Sequence, residues 1–491
     1  MFMTPRANNL KYLVAAAALV FTAACADDND SSNNDTNNNN GELQVPDTYN
    51  FDSRFVEGES SVSYSGQIFR QVLIADLKGF ISGMSDAIDS GDFAPAAEGD
   101  VVGSLDFYFR FDSAANGDLP LGLSADPALK QATYNDISSG KDLVGKLAGN
   151  DSATDHKDWS TEFVGWSDTT IAANGGSVTS PEGLVTAFFA TIEANALARV
   201  NGTMRTGTDG QTLPVYVTEQ GQDLNQLVQK FLLMGVTYSQ AADDYLDSGT
   251  DGKGLEASNT QHNDSPYSTL EHQWDEGFGY FGAARDYLAY SDEEIANPGF
   301  KDTNNDGAID LKSEYNFANA VYAAKRDLSA VAATDYTAQA MEAFLTGRAI
   351  ISSADGELSA EQKTALEEQR DIALMAWENT MAANVVHYIN DTLQAMGTFG
   401  TEDYDFVKHA KVWSEMKGFA LGLQFNPNAS LSDADFAQFH VLVGDAPVLA
   451  TADQADIDQY KADLVAARQI IGDAHGFAAE NLGDADGEGG W

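Results

Sequence analysis

Residues 361–393 read EQKTALEEQRDIALMAWENTMAANVVHYINDTL. Leu374, Trp377, Met381, Val385 and Tyr388 recur there three and four residues apart, the spacing that gathers apolar side chains on one face of an α-helix. The same rhythm runs outward in both directions. Tyr64–Asp89 carries Ile68, Val72, Ala75, Phe80 and Met84, and Pro181–Val200 carries Leu184, Phe188, Ile192 and Ala196. Asn225–Leu246, Asn316–Val331, Asp405–Leu423 and Ile457–Ile471 follow suit. Strand signals are thin: Leu105–Phe111 alternates weakly, and Leu213–Val217 is a short β-rich run holding Pro214. The expectation is an all-α protein of helical bundles with minor β embellishment. The Gly/Asp/Ser-rich stretch Asp247–Pro266 offers a linker between two helical lobes, 43–246 and 267–491.

The 491 residues allow two or three ordinary domains. With 27 Lys+Arg against 75 Asp+Glu, the formal charge is −48. That balance argues against nucleic acid and anionic lipid headgroups as partners, which need a basic footprint, and suits cations or basic partners. Cys25 is the only cysteine, so disulfide frameworks, C-x-x-C redox pairs, Cys-based zinc sites and Cys-ligated clusters are excluded.

Arg6 and Lys11 precede an apolar run from Tyr12 to Ala24, too short to span a bilayer but fitting a secretory signal over residues 1–24. It ends Thr22-Ala23-Ala24-Cys25, which resembles a bacterial lipobox whose Cys25 is lipidated and becomes the mature N-terminus. Ala26 follows, which under lipoprotein sorting rules permits outer-membrane delivery. The Asp/Asn/Ser-rich stretch of residues 25–42 reads as a disordered tether holding the folded part roughly 20 Å or more from the bilayer. No other stretch is read as membrane-spanning.

The sequence Asp302-Thr303-Asn304-Asn305-Asp306-Gly307-Ala308-Ile309-Asp310 matches an EF-hand calcium loop at positions 1, 3, 5, 6 and 9. Asp302, Asn304, Asp306 and Asp310 offer side-chain oxygens, Ala308 a carbonyl, and Gly307 the left-handed turn. The pattern departs at its end: Ser313 stands at position 12 and the acid, Glu314, comes one residue later. A structural calcium is the reading, with Glu314 closing the ligand set.

A second signal is Leu270-Glu271-His272-Gln273-Trp274-Asp275-Glu276-Gly277-Phe278. On a helix His272 meets Glu276 at i+4 and Asp275 at i+3, so an imidazole and up to three carboxylates, Glu271 included, can converge on a transition metal. In a chain this acidic about half of all histidines have an acid at i±3 or i±4 by chance. Three of seven do: His272, His387 and His409. Local acid density, not the pairing, singles out His272. His409 and Glu415 are candidate ligands from a distant segment. No H-E-x-x-H, G-x-S-x-G or phosphate-loop motif is present.

Several blocks occur in a familiar order: Val45-Pro46-Asp47-Thr48-Tyr49, Tyr64-Ser65-Gly66-Gln67, the run from Glu271 to Gly282, Trp377-Glu378, His387-Tyr388-Ile389-Asn390 and His409 to Phe419. Together they resemble an uncharacterised bacterial lipoprotein family, a domain of unknown function. Its genes often neighbour those of imelysin-like iron-regulated lipoproteins and outer-membrane receptors. The resemblance implies a role in iron or other divalent-metal acquisition at the cell envelope, with such a receptor or an imelysin-like protein as partner. Imelysin-like proteins carry Gly-x-His-x-x-Glu; here Leu270 and Asp275 stand in the Gly and Glu places around His272. The expected function is therefore an outer-membrane-anchored metal-binding protein. A metal-dependent hydrolase with Glu276 as general base and a non-catalytic scaffold are the alternatives.

Overall fold

The longest helix in the computed structural model, which describes residues 43–491, grows from the segment quoted first. We number the main helices α1 (Ser65–Ser90), α2 (Asp100–Phe109), α3 (Pro181–Val200), α4 (Leu224–Leu232), α5 (Thr269–Phe281), α6 (Ala318–Ser329), α7 (Tyr336–Ser353), α8 (Ala360–Gly397), α9 (Phe406–Gly422), α10 (Asp433–Val443) and α11 (Gln454–His475). Helix α8 has 38 residues, about 57 Å at 1.5 Å per residue. A reciprocal capping box between Ser359 and Gln362 starts it. Its second half is almost wholly buried and lies against α6, α7, α9 and α11.

The all-α reading holds: 53% of the structure is helical and, among the described residues, there is no sheet, only isolated bridges. Leu105 to Phe109, where alternation hinted at a strand, belongs to α2. Helix α2 begins at a carboxylate: Glu193 of α3 accepts N–H bonds from Gly99, Val101 and Val102 at 2.9–3.0 Å, placing negative charge at the positive end of the helix. Helix α3 is long and apolar enough to cross a membrane by length and composition, which the sequence reading did not credit. Leu184, Phe188, Ile192 and Ala196 are buried in the protein core.

Residues 43–491 make one compact unit. The stretch 247–266, read as a linker, contains the buried Leu255 and Asn259, and α1 from before it packs against α5 from after it. The signal segment, Cys25 and the tether lie outside the described residues.

Two features were hidden in the sequence. Helix α7 is buried on nearly every side, from Tyr336 and Met341 to Phe344, Arg348 and Ile351, so it lacks the polar stripe that reveals an amphipathic helix. Helix α4 continues through two wide π-turns, Leu233–Tyr238 and Ala241–Tyr245, and every residue from 221 to 246 is buried. Its polar face, expected in water, instead sits inside with Gln226, Gln229, Lys230, Asp243 and Asp244.

Helix α7 meets α5 closely at Gly347, where a Cβ would lie 2.1 Å from the Trp274 ring. That ring is fixed by its Nε1–H donating to the Phe344 carbonyl at 2.9 Å. Gly347→Ala is therefore expected to destabilise the protein by about 1–3 kcal/mol through overpacking. A shifted urea midpoint with unchanged slope checks this.

Candidate functional site

Helix α5 starts at Ser268, whose hydroxyl accepts the Glu271 N–H at 3.1 Å while the Glu271 carboxylate accepts the Ser268 N–H at 2.7 Å. Glu271 is thus first a capping residue. Its other oxygen lies 2.9 Å from Arg348 Nη1 and 3.2 Å from Arg54 Nε. One turn on, Asp275 accepts from Arg348 Nε at 2.9 Å, the Tyr49 hydroxyl at 2.8 Å and the Ser63 N–H at 3.0 Å. Arg348 has no exposed surface, donates to Ser61 Oγ at 2.8 Å and lies over the Phe51 ring. Burial pushes the Glu271 carboxyl up, but Arg348, the Ser268 N–H and Arg54 outweigh it and hold it below the usual range. These two acids are spent on an internal ion-pair clamp.

His272 and Glu276 point elsewhere. The His272 Nδ1 lies 3.0 Å from the Ser63 carbonyl, and the ring stacks on Tyr267 at 4.5 Å. A carbonyl only accepts, so Nδ1 carries the hydrogen. Nε2 then faces Glu276 Oε2 at 3.8 Å, while Gln67 Nε2 donates to the other Glu276 oxygen at 2.8 Å. The pair is partly open, with side chains 30% and 16% exposed. A bare Nε2 opposite a carboxylate sets two lone-pair donors face to face. A proton on Nε2 or a cation between them relieves that conflict.

The distant candidates do not join this pair in a convergent site. His409 is buried beside Phe399, with Nδ1 3.4 Å from the Tyr404 hydroxyl, and burial lowers it to about 4, leaving it neutral. Glu415 pairs with Lys230 at 3.2 Å. Among the described residues no three His, Cys, Asp or Glu side chains converge as metal ligands.

The loop Asp302–Glu314 folds around its own backbone. Asp302 accepts the N–H groups of Asp306 and Gly307 at 3.1 and 2.9 Å, Asn304 that of Asp306 at 2.8 Å, and Asp306 that of Ala308 at 3.0 Å. Gly307 takes φ +87°, the left-handed turn expected of it. Ile309 is fully buried and anchors the loop against Ala128 and Lys130. Glu314 works from behind: one oxygen accepts the Thr303 and Asn304 N–H groups at 3.1 Å, the other that of Asp310 at 2.9 Å. The acid displaced by one residue is a clasp on the backbone. Asp310 bonds Gln131 Nε2 and the Lys312 N–H, both at 2.9 Å. Lys130 Nζ lies 3.6 Å from Asp306 and 3.5 Å from Asp310.

The sequence reading missed Arg348, because its helix went unseen, and Lys230, because its helix was taken as amphipathic. Their signal was weak: basic residues inside an apolar pattern.

Residues 150–478 match a family described as Domain of unknown function (DUF4856), more than half of the chain, and the chain belongs to that family. No curated protein and no solved structure matches it.

Arg348→Met leaves Asp275 buried without its cation and Glu271 with Arg54 alone, and is expected to cost about 3–5 kcal/mol. In the native protein the Glu271 contribution is present above the ordinary glutamate value and fades as pH falls through its lowered native one. The deficit of the variant should therefore shrink in acid, as urea melts at neutral pH and below the carboxylate range will show.

Proposed function

We propose, for this member of a family that carries no assigned activity, an envelope-anchored lipoprotein that binds metal ions. Its transition-metal site is narrower than the sequence suggested, consisting of His272 Nε2 and a Glu276 oxygen, with water or a delivered ligand completing the shell. The observation that supports this most is the 3.8 Å approach of these two acceptors, with Nδ1 already committed to the Ser63 carbonyl. An imidazole oriented through its second nitrogen is the usual support of a metal-ligating histidine. Two protein ligands suit a site that passes its ion on, in keeping with a role in iron or other divalent-metal acquisition. Glu271 and Asp275 lie outside this site because Arg348 neutralises them.

Calcium at Asp302, Asn304, Asp306 and Asp310 is the second part of the reading. Side-chain oxygens of all four residues, already drawn to the loop backbone, support it, as does the Lys130 ammonium beside Asp306 and Asp310, which a calcium ion would displace. Lipidation of Cys25 would hold the protein at the outer membrane, facing a receptor or imelysin-like partner.

Elemental analysis of the protein purified without chelator is expected to find about one divalent transition metal per chain. His272→Ala should remove it and Glu276→Gln reduce it; unchanged content in His272→Ala sinks the transition-metal reading. Added calcium should raise the thermal midpoint of the wild type and leave Asp306→Ala unmoved. Equal shifts in both would remove calcium from the loop.

A further inference from the structure

Arg370, Asp371, Leu374, Met375 and Glu378 follow one another along one stripe of α8, a turn apart or adjacent, and together they line a cavity of about 320 Å³. The facing wall comes from Asn426 and Asn428, just beyond α9. The volume falls at the lower end of the range, about 300–1,000 Å³, of clefts that hold small ligands. What sets this cavity apart is that a guanidinium and a carboxylate, two turns apart, both line it and both have bonding capacity to spare.

Arg370 is 8% exposed. Its Nε donates to Asp371 and its Nη1 to the Leu246 carbonyl at 3.1 Å. Nη2 has no acceptor among the described residues, and it is not sealed from solvent. A largely buried guanidinium nitrogen is ordinarily paired. Glu378 is 1% exposed. Its Oε2 accepts the Tyr238 hydroxyl and Asn426 Nδ2, both at 2.6 Å, whereas Oε1 accepts only the Ser430 N–H, at 2.7 Å. Each carboxylate oxygen has two lone pairs, so Oε1 can take one more donor.

The two π-turns that continue α4 hold both groups. Tyr238, which closes the first turn, bonds Glu378, and Leu246, which follows the second, bonds Arg370. Such turns are rare and concentrate at functional sites. The charges then select the ligand. A simple anion on Arg370 meets Asp371 and Glu378 in the same cavity, and a simple cation on Glu378 meets the bare guanidinium; a molecule carrying both signs answers both. Residues two turns apart lie about 12 Å from each other along the helix axis at 1.5 Å per residue. A single amino acid, with both charges on one carbon, is too short for that span. Two extended residues reach about 7 Å, and charge-assisted hydrogen bonds of about 2.8 Å at the two ends cover the rest.

We propose that this cavity binds a short zwitterionic peptide, a dipeptide in length. Its terminal carboxylate rests on Arg370 Nη2 and its terminal ammonium on Glu378 Oε1. Its amide lies beside the exposed side chain of Asn428, and its own side chains lie against Leu374 and Met375. The site is independent of the His272–Glu276 pair. A purely structural Arg370 needs only Leu246 and Asp371 and leaves its third nitrogen without a task.

The test is calorimetric titration of the full-length protein with alanyl-leucine. Saturable binding is expected, at least tenfold tighter than that of free leucine, of N-acetyl-alanyl-leucine, which lacks the ammonium, and of alanyl-leucinamide, which lacks the carboxylate. Arg370→Met should weaken the dipeptide at least tenfold and abolish the preference for it over the amide. Glu378→Gln should abolish the preference over the acetylated form. Losses matched in this way to one end of the ligand are not what a merely structural role produces. Met375 is 47% exposed, so Met375→Trp keeps the test sound if the buried variants fail to fold: it should fill the cavity and remove binding while leaving the thermal midpoint in place. His272→Ala should bind the dipeptide as the wild type does. No saturable binding by the wild type, equal binding of the dipeptide and its capped forms, or undiminished binding by Met375→Trp overturns the site.

Discussion

A guanidinium shut away from water sets the geometry of this protein. Arg348 reaches from α7 to Glu271 and Asp275 of α5 and to Ser61 of the segment leading into α1. Charge is expensive to bury, so each partner must stay in place for the others to be tolerated. The consequence is positional: with α5 locked to the approach to α1, Ser63 is held where its N–H meets Asp275 and its carbonyl meets His272. The orientation of the one partly open imidazole on α5 follows from a salt bridge that the imidazole never touches.

Much of the architecture was legible in the sequence because amphipathic helices advertise themselves. Pro181–Val200 was read to the residue, and the reading of α8 was short only at its ends. The failures share one cause. A helix surrounded by protein has no need of a polar stripe, so α7 passed unseen and the polar side of α4 was assigned to solvent. The acids around His272 were legible as a dense group, but sequence spacing says nothing of which partner claims which oxygen. Arg348, 72 residues beyond Glu276 in the sequence, took two of the three acids. Glu314 shows the same limit at short range: its one-residue offset from the calcium pattern was visible, while its role as a backbone clasp needed the folded loop.

The polar interior of α4 marks a different economy from that of an ordinary bundle. Its wide π-turns interrupt the regular i+4 ladder over Leu233–Tyr245, and turns of this kind recur at functional sites. Asp243 meets His156 at 2.7 Å there, while Lys230, one turn before, meets Glu415. A helix that carries this many polar groups through a core gains specificity of packing at the expense of stability, since every group demands a partner in register.

Among the described residues, seven Lys and Arg but ten Asp and Glu are buried, a far larger share of the scarce cations than of the abundant acids. What solvent meets is therefore more one-sided than the formal charge suggests. Copies of the protein crowded on one surface would hold each other apart through an electrostatic cushion reaching about 8 Å beyond each molecule at physiological salt. Dilution of the medium would thicken that cushion, and divalent counterions would collapse it, so spacing between neighbours becomes a property of the water around them.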